Sequence, residues 1–382
     1  MRPRSSPRAS LSRLAVTFVI IFLIYETWSR TSSWNRYVCD GSGQPLHDIS
    51  QVPTQDLPGN PHEPLLIESP SINNLNFGDL ASPKEKDRVL ILTPLRDAAP
   101  YLPKYFEVLS QLTYPHNYID LAFLVGDCVD ETLSTLREQL EKLQNESNVA
   151  RFRSAMIVEK NFGFELAQSV KERHSFQAQG PRRKAIGRAR NYLLYAAMRP
   201  VHDWIYWRDV DVVENPATVL EDFIKHDKDV LVPNIWFHRL DKLGKDIEGR
   251  YDYNSWQESW WGRRLKKRIS KDTILAEGYK EYKTRRKYLN WMGNRRKNKD
   301  KEVPLDGIGG VNIVVKAEVH RSGINFPCYP FENQADTEGF AAMAKRAGYS
   351  VFGLPNYVVW HVDTEEKEGN LKGNKVKEQK DS

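Results

Sequence analysis

Two carboxylates one residue apart, Asp209 and Asp211, close the apolar run Trp204-Ile205-Tyr206-Trp207 and precede Val212-Val213-Glu214-Asn215-Pro216. The run reads as a buried strand, and α/β sheets place ligands at the C-terminal ends of their strands. Asn215 reads as an N-cap and Pro216 as the first residue of a helix running to about His226. The Asp-x-Asp would then sit in a tight strand-to-helix turn that keeps its carboxylates together. Paired oxygen ligands suit a hard divalent cation, Mg2+ or Mn2+, which retains waters and phosphate oxygens as further ligands. A cation so held neutralises a departing diphosphate. The plain alternative is that two exposed acids solvate the turn.

Further groups with chemistry to offer lie on either side. Arg188, Arg190 and Asn191 stand near the start of a helix expected over Lys184–Met198, where three nitrogen-bearing side chains and the helix dipole suit a phosphate or a ribose. Surface arginines are the competing reading. In Tyr251-Asp252-Tyr253-Asn254-Ser255-Trp256 an acid lies between aromatic rings that could stack on sugars or form a small core of their own. Asp306-Gly307-Ile308-Gly309-Gly310 allows close backbone approach to a ligand, or serves as a hinge. Glu332, Asp336 and Glu338 cluster around a helix expected over Thr337–Arg346, which Asp336 could cap. His361 closes the last strand, either a structural histidine or an imidazole that suits Mn2+.

The elements that must position these groups alternate. Val89–Asp97 carries a continuous apolar strand, as expected of one buried on both faces. A helix with Leu102, Tyr105, Phe106, Leu109 and Leu112 on one side follows, then a strand over Ile119–Val125, a helix carrying Leu133, Leu136, Leu140 and Leu143, and a strand over Ala155–Glu159. This β-α-β-α order predicts a mainly parallel, doubly wound α/β sheet whose first strand ends form a nucleotide-sized crevice. Pro94, Arg96 and Asp97 at the first strand end and Asp127 at the second are therefore candidate nucleotide contacts. Neither a G-x-G-x-x-G after the first strand nor a Walker A sequence occurs, which disfavours the dinucleotide and P-loop versions. Further strands are expected over Asp229–Trp236, Val311–Lys316, Ser350–Leu354 and Asn356–Trp360.

The 382 residues allow one large domain or two ordinary ones, with 10 Trp and a net charge of +6 scattered in short clusters such as Arg182-Arg183-Lys184. Each cluster reads as a solvated loop or helix face, and no nucleic-acid module appears. Three cysteines, Cys39, Cys128 and Cys328, exclude a disulfide framework and a cysteine zinc site. Arg2, Arg4, Arg8 and Arg13 precede an apolar run over Leu14–Tyr25, short against the roughly 20 residues of a bilayer span. Upstream positive charge keeps the amino terminus cytosolic, and no good cleavage site argues for a cleaved signal peptide. The expected organisation is a cytosolic tail over 1–13, a signal anchor over 14–28, a proline-rich stem over 29–86, a lumenal domain over 87–364 and a disordered tail over 365–382. The sequon Asn145-Glu146-Ser147 would lie on the lumenal side.

The segments Val89–Asp97, Gly187–Leu194, Tyr206–Pro216, Asp227–Trp236, Asn254–Ser259, Asp306–Val315 and Phe331–His361 together resemble the fungal Golgi mannan polymerase subunits. These are the type II membrane α-1,6-mannosyltransferases of the Anp1/Mnn9/Van1 family, and the likeness looks greatest to the Mnn9 member. The resemblance implies a GT-A fold, GDP-mannose as donor, Mn2+ as metal, and retaining extension of the α-1,6-linked mannose backbone on a mannose-terminated N-glycan. It further implies a complex with related mannosyltransferase subunits at the Golgi membrane. Asp209 and Asp211 would be the family's D-x-D, His361 its C-terminal metal ligand, and Asp252 and Glu338 weaker candidates near the donor sugar or acceptor. Arg96-Asp97 departs from the family's frequent Arg-Asn. Two readings compete: a scaffold subunit whose partner does most of the synthesis, and a Mg2+-dependent nucleotidyltransferase or phosphohydrolase, which would also use paired aspartates.

Overall fold

A computed structural model of the chain describes residues 86–145, 151–163, 176–240 and 245–363. These all fall in one compact unit, Ile72–Ser382. The expected anchor, the stem up to residue 85, Cys39, the sequon beyond the Asn145 backbone and the tail from 364 lie outside the described residues. Among the described residues, no helix is long and apolar enough to cross a membrane.

The first half of the sheet follows the β-α-β-α pattern. Strand β1 is Val89–Leu95, β2 Ile119–Val125, β3 Ser154–Glu159 and β4 Trp204–Arg208. Helices α1 (Leu102–Ser110), α2 (Thr132–Asn145) and α3 (Phe176–Ala197) connect them in turn. β1 pairs in parallel with both β2 and β4, and β2 with β3. Because strand side chains alternate between faces, β1 feeds two cores. Val89 and Ile91 pack in the core that holds Tyr105, Phe106 and Leu109 of α1. Leu90 and Leu92 pack in the core that holds Leu193 and Leu194 of α3. Burying a side chain of this size stabilises the fold by about 1.5–3 kcal/mol, and a one-residue slip would exchange the two faces.

The second half is mixed. After β4 come β5 (Val212–Glu214), α4 (Val219–Ile224), β6 (Val230–Leu240) and β7 (Asp246–Arg250). Next are β8 (Trp256–Gln257), α5 (Trp260–Lys266), β9 (Lys287–Tyr288), α6 (Leu289–Met292) and β10 (Val303–Pro304). The chain closes with β11 (Asn312–Lys316), α7 (Ala317–Arg321), α8 (Asp336–Arg346) and β12 (Val351–His361). The sheet order is β10-β12-β6-β11-β4-β1-β2-β3, with β5 on β12 and β7 on β6. β11 runs antiparallel to β4 and to β6, while β6 and β12 are parallel. This fixes what meets at one edge: the C-terminal ends of β1, β2, β4, β6 and β12 and the N-terminal end of β11.

Several boundaries depart from expectation, among them β6, which is expected to end at Trp236 and runs on to Leu240. The last two strands are a single strand, β12, whose pairing with β6 slips between Leu354 and Val358 around Pro355. α3 begins eight residues before Lys184 and carries Pro181 inside it as its sixth residue, a position that gives up a backbone hydrogen bond. α4 begins at Val219 after Thr218, which makes no side-chain cap.

At the opposite edge β2 carries a buried acid, Asp120, among apolar neighbours. Arg153 donates to it from Nη2 at 2.7 Å and Nε at 2.9 Å, His202 Nε2 lies at 3.0 Å, and Ser154 Oγ also bonds it. Burial alone would raise its pKa, but these bonds outweigh it and hold the carboxyl well below the usual range. A depressed acid contributes stability above its unfolded pKa and loses it as the pH falls through the folded one. Asp120→Asn is therefore expected to lower unfolding free energy by about 2 kcal/mol at pH 7. Denaturant titrations should show this gap closing as the pH falls below about 4.

Candidate functional site

Arg208, the last residue of β4, is buried, and its guanidinium lies 4.6 Å from the Tyr105 ring centre. Its Nη2 donates to Val212 O at 3.1 Å and to Asn215 Oδ1 at 3.4 Å, so the turn carrying Asp209 and Asp211 curls around a cation. Asn215 is thus engaged in the turn, with its Nδ2 donating to Pro216 O at 2.9 Å, rather than capping a helix. Asp209 N donates to Val311 O at 2.9 Å, tying the turn to the start of β11. On the other side β5 pairs with the end of β12, placing Val212 opposite His361, and Val362 N donates to Asp211 O at 2.9 Å.

These ties bring together residues 150 positions apart in the chain. His361 Nε2 lies 3.1 Å from Asp211 Oδ1, with side-chain exposures of 3% and 8%. Tyr251 stacks on the imidazole with centroids 3.8 Å apart and planes at 21°. The other imidazole nitrogen, Nδ1, is bonded to Val362 O. A neutral ring donating from Nδ1 has its lone pair on Nε2, facing a carboxylate. Two lone pairs at 3.1 Å need a proton or a cation between them, so the donor set fits a divalent metal that accepts one oxygen and one imidazole nitrogen. Asp209 is turned elsewhere. A third of its side chain is exposed, and Arg190 Nη2 lies 3.8 Å from Oδ1.

Arg190 is the hub on that side. Its Nη1 donates to both oxygens of Asp336, at 2.7 and 2.6 Å, and Nη2 to Gly310 O at 3.3 Å. A Cβ on Gly310 would stand 2.4 Å from Nη2, so the glycine admits the guanidinium. Burial would lower this pKa, but Asp336 and Asp209 outweigh it and hold Arg190 above its ordinary value. Asp336 is therefore an ion-pair partner and caps nothing; Ala335 holds the N-cap position of α8. Arg188, Arg190 and Asn191 lie well inside α3, whose first residue is Phe176. Its dipole accordingly gives them no phosphate site. Arg188 is exposed. Asn191 clamps the backbone of Phe326, donating from Nδ2 to its O at 2.7 Å and accepting from its N at 3.0 Å.

Asp252 and Glu338 belong to one deeper network. Asp252 Oδ1 accepts from Asn254 N at 2.7 Å and Oδ2 from Ser255 Oγ at 2.5 Å. Asn254 Oδ1 accepts from Arg183 Nη2 at 2.9 Å, and Arg183 Nη1 is paired with Glu338. Glu338 also accepts from Trp256 Nε1 at 2.7 Å. Burial pushes the Asp252 pKa up against the bonds from Ser255 and Asn254, and burial likewise pulls Arg183 down. Arg183, expected on a solvated face, is thus a buried partner, and Trp256 a core residue. A Cβ on Gly309 would meet the Asp252 carboxylate at 2.4 Å, so the glycine run makes room for this acid.

The remaining strand-end residues are engaged with their own loops. Pro94 pairs opposite Leu124 within the sheet, and Arg96 next to it is half-buried. Asp97 and Asp127 both have left-handed backbones, with φ of 49° and 52°. Asp97 Oδ1 accepts from Val129 N at 2.8 Å, and Asp127 Oδ1 accepts from Phe162 N and Gly163 N at 3.1 and 3.0 Å. Among the described residues, the one group of three metal-type donors within 4.8 Å of one another is Asp97, Cys128 and Asp130. Its acids already accept from Val129 N, Ala99 N and Thr132. Burial pushes the Cys128 thiol up, which leaves it a poor ligand.

The sequence profile of the Anp1 family matches residues 67–330. The "Mannan polymerase II complex anp1 subunit" of Schizosaccharomyces pombe is 48% identical over 292 residues, 76% of this chain and 67% of that protein. Its Saccharomyces cerevisiae counterpart is 45% identical over 79% of this chain and 61% of its own length. The chain thus spans about two thirds of the length of these relatives. The "Mannan polymerase complex subunit MNN9" of Candida albicans is 35% identical over 94% of this chain and 96% of its own. Identity therefore runs higher toward the anp1 subunits than toward MNN9, although the latter matches over nearly its whole length. The solved mannosyltransferase PcManGT of Pyrobaculum calidifontis, in complex with GDP-Man and Mn2+, matches at 13% identity and TM-score 0.40 over 76% of this chain and 62% of its own, too distant to transfer a ligand or an activity. On the profile match and the identities to its curated relatives, the chain belongs to the Anp1 family.

Proposed function

We propose that the chain is a metal-dependent, retaining α-1,6-mannosyltransferase with a GT-A-type fold, which uses GDP-mannose to extend a mannan backbone on N-glycans as one subunit of a mannan polymerase complex. Residence in the Golgi membrane through residues 14–28 is part of the same proposal. The observation that carries the reading is the buried Asp211–His361 contact of 3.1 Å at the sheet edge, with Arg190 beside Asp209. The names of the relatives, subunits of mannan polymerase complexes, support the sugar and the assembly.

Asp211 and His361 would hold Mn2+, while Asp209, beside Arg190, would serve the donor. The metal supplies Lewis-acid help to a diphosphate leaving group. Arg190 places a fixed positive charge at the same turn, where preorganised charge favours a departing anion without reorganisation. Tyr251 orients the imidazole, and Arg208 holds the turn. Asp252 and Glu338 shape the wall beside it, since their carboxylates are occupied by Ser255, Asn254, Arg183 and Trp256. That occupancy supports acceptor attack on the face from which GDP departs rather than a nucleophile drawn from these two acids.

Calorimetric titration of GDP into the full chain, with Mn2+ and with chelator, followed by transfer from GDP-mannose to α-1,6-mannobiose, tests the reading. Metal-dependent binding and a longer product are expected. Binding without transfer would assign this chain a supporting role beside an active partner, and absence of metal-dependent binding would overturn the site.

A further inference from the structure

A cleft of about 580 Å3 is lined by Tyr253, Arg286, Lys287, Tyr288, Trp291 and Met292. Its volume falls in the range of small-ligand sites. Trp291 is 62% exposed and nevertheless fixed. The Arg250 guanidinium lies 4.0 Å from the ring centre, and Arg250 Nε donates to Asn290 O at 2.7 Å. Beyond it the backbone is locked to β12: a Cβ on Gly293 would stand 1.8 Å from Pro355 O, and Asn294 N donates to Asn356 Oδ1 at 2.7 Å. Tyr253 and Tyr288 meet edge to face, with centroids 5.4 Å apart and planes at 79°. Exposed aromatics held this firmly lose little freedom when a ligand settles on them, and a large apolar side chain kept in water on a rigid support marks a contact surface.

The charge of the cleft narrows the ligand. Arg286 is neutralised from within the protein, with Nη2 3.0 Å from Glu258 Oε2 and Nη1 2.7 Å from Glu277 Oε1. Tyr288 donates to Glu277 Oε2 at 2.6 Å. Lys287, exposed on the same lining, adds an ammonium donor beside the flat rings, and such a lining suits a ligand that presents an apolar face and hydroxyl edges, as a pyranose does. The cleft is also joined to the network beneath the proposed active site. Asn290, between Leu289 and Trp291, donates from Nδ2 to Asp252 O at 2.5 Å, and Tyr253 follows Asp252 in the chain.

We propose that this cleft is a saccharide subsite that seats a hexopyranose of the acceptor chain on Trp291, with Tyr253 and Tyr288 as its walls. The identity of the sugar rests on the mannosyltransferase reading; the class of ligand rests on the cleft alone. The test uses the full chain labelled with 5-fluorotryptophan, with the Trp291 fluorine resonance identified by its loss in Trp291→Phe. Adding α-1,6-mannotetraose without nucleotide or metal is expected to move that resonance saturably, and to leave unmoved the resonance of Trp260, which is 54% exposed on α5. Tyr253→Ala should weaken the response about fivefold with melting unchanged. No movement of the Trp291 signal, or equal movement at Trp260, overturns the subsite. Saturable movement in a chain that fails to bind GDP with Mn2+ sustains the subsite while the mannosyltransferase reading falls.

Discussion

Asp211→Asn is expected to lower mannosyl transfer by about 100-fold or more and to abolish the Mn2+ dependence of GDP binding, while leaving the melting temperature within a few degrees of the parent. The side chain keeps its size, and the bond from Val362 N to Asp211 O is made by the backbone and survives. What disappears is the negative charge facing His361 Nε2 at 3.1 Å. His361→Ala should have a similar effect on metal affinity, with some added loss of stability because Tyr251 loses the ring it stacks on. Asp209→Asn separates the roles within the pair. If Asp209 serves the donor through its setting beside Arg190, this variant weakens GDP more than Mn2+, whereas Asp211→Asn weakens both. Calorimetry with and without metal reads each case. Unchanged Mn2+-dependent GDP binding in Asp211→Asn would return the Asp211–His361 contact to a structural role.

The legibility of this chain followed how locally each feature is encoded. β2 is apolar but for Asp120, and its observed bounds, Ile119–Val125, are those expected from the residues. β5 carries no local signal: three residues, Val212 to Glu214, show no period, and the strand exists only through pairing with β12. Pro181 hid the first turns of α3, and Pro355 made one long strand look like two, since proline reads as punctuation wherever tertiary packing tolerates it. The site divided the same way. Two carboxylates one residue apart are visible in any sequence, but the partner of Asp211 comes from the far end of β12. No spacing rule predicts that encounter; its place at a strand end leaves His361 open between a structural histidine and a metal ligand, and the family resemblance adds the metal role. Arg182-Arg183-Lys184 is composed like a solvated face, and only the fold shows that Arg183 turns inward to Glu338.

That inward pair carries the second large effect. Glu338 has no exposed side-chain surface, and its two bonds go to Arg183 and to Trp256 Nε1. Glu338→Ala leaves a buried guanidinium without its counter-charge and a buried indole N–H without its acceptor, a combination expected to cost about 3–5 kcal/mol of unfolding free energy. Glu338→Gln retains a carbonyl for Trp256 but removes the charge, so it should fall between the parent and the alanine variant. Pairing Glu338→Leu with Arg183→Met removes both charges together and should recover much of the loss, since well-packed apolar residues commonly replace a buried ion pair at little cost. Denaturant titration of the parent and these three variants gives these values directly, and the same proteins decide what Glu338 does for the reaction. A group that only positions Trp256 and Arg183 allows near-parental transfer in Glu338→Gln wherever that variant is folded. A group that touches the sugar loses transfer in Glu338→Gln at parental stability, and the doubly apolar protein, however stable, then remains inactive.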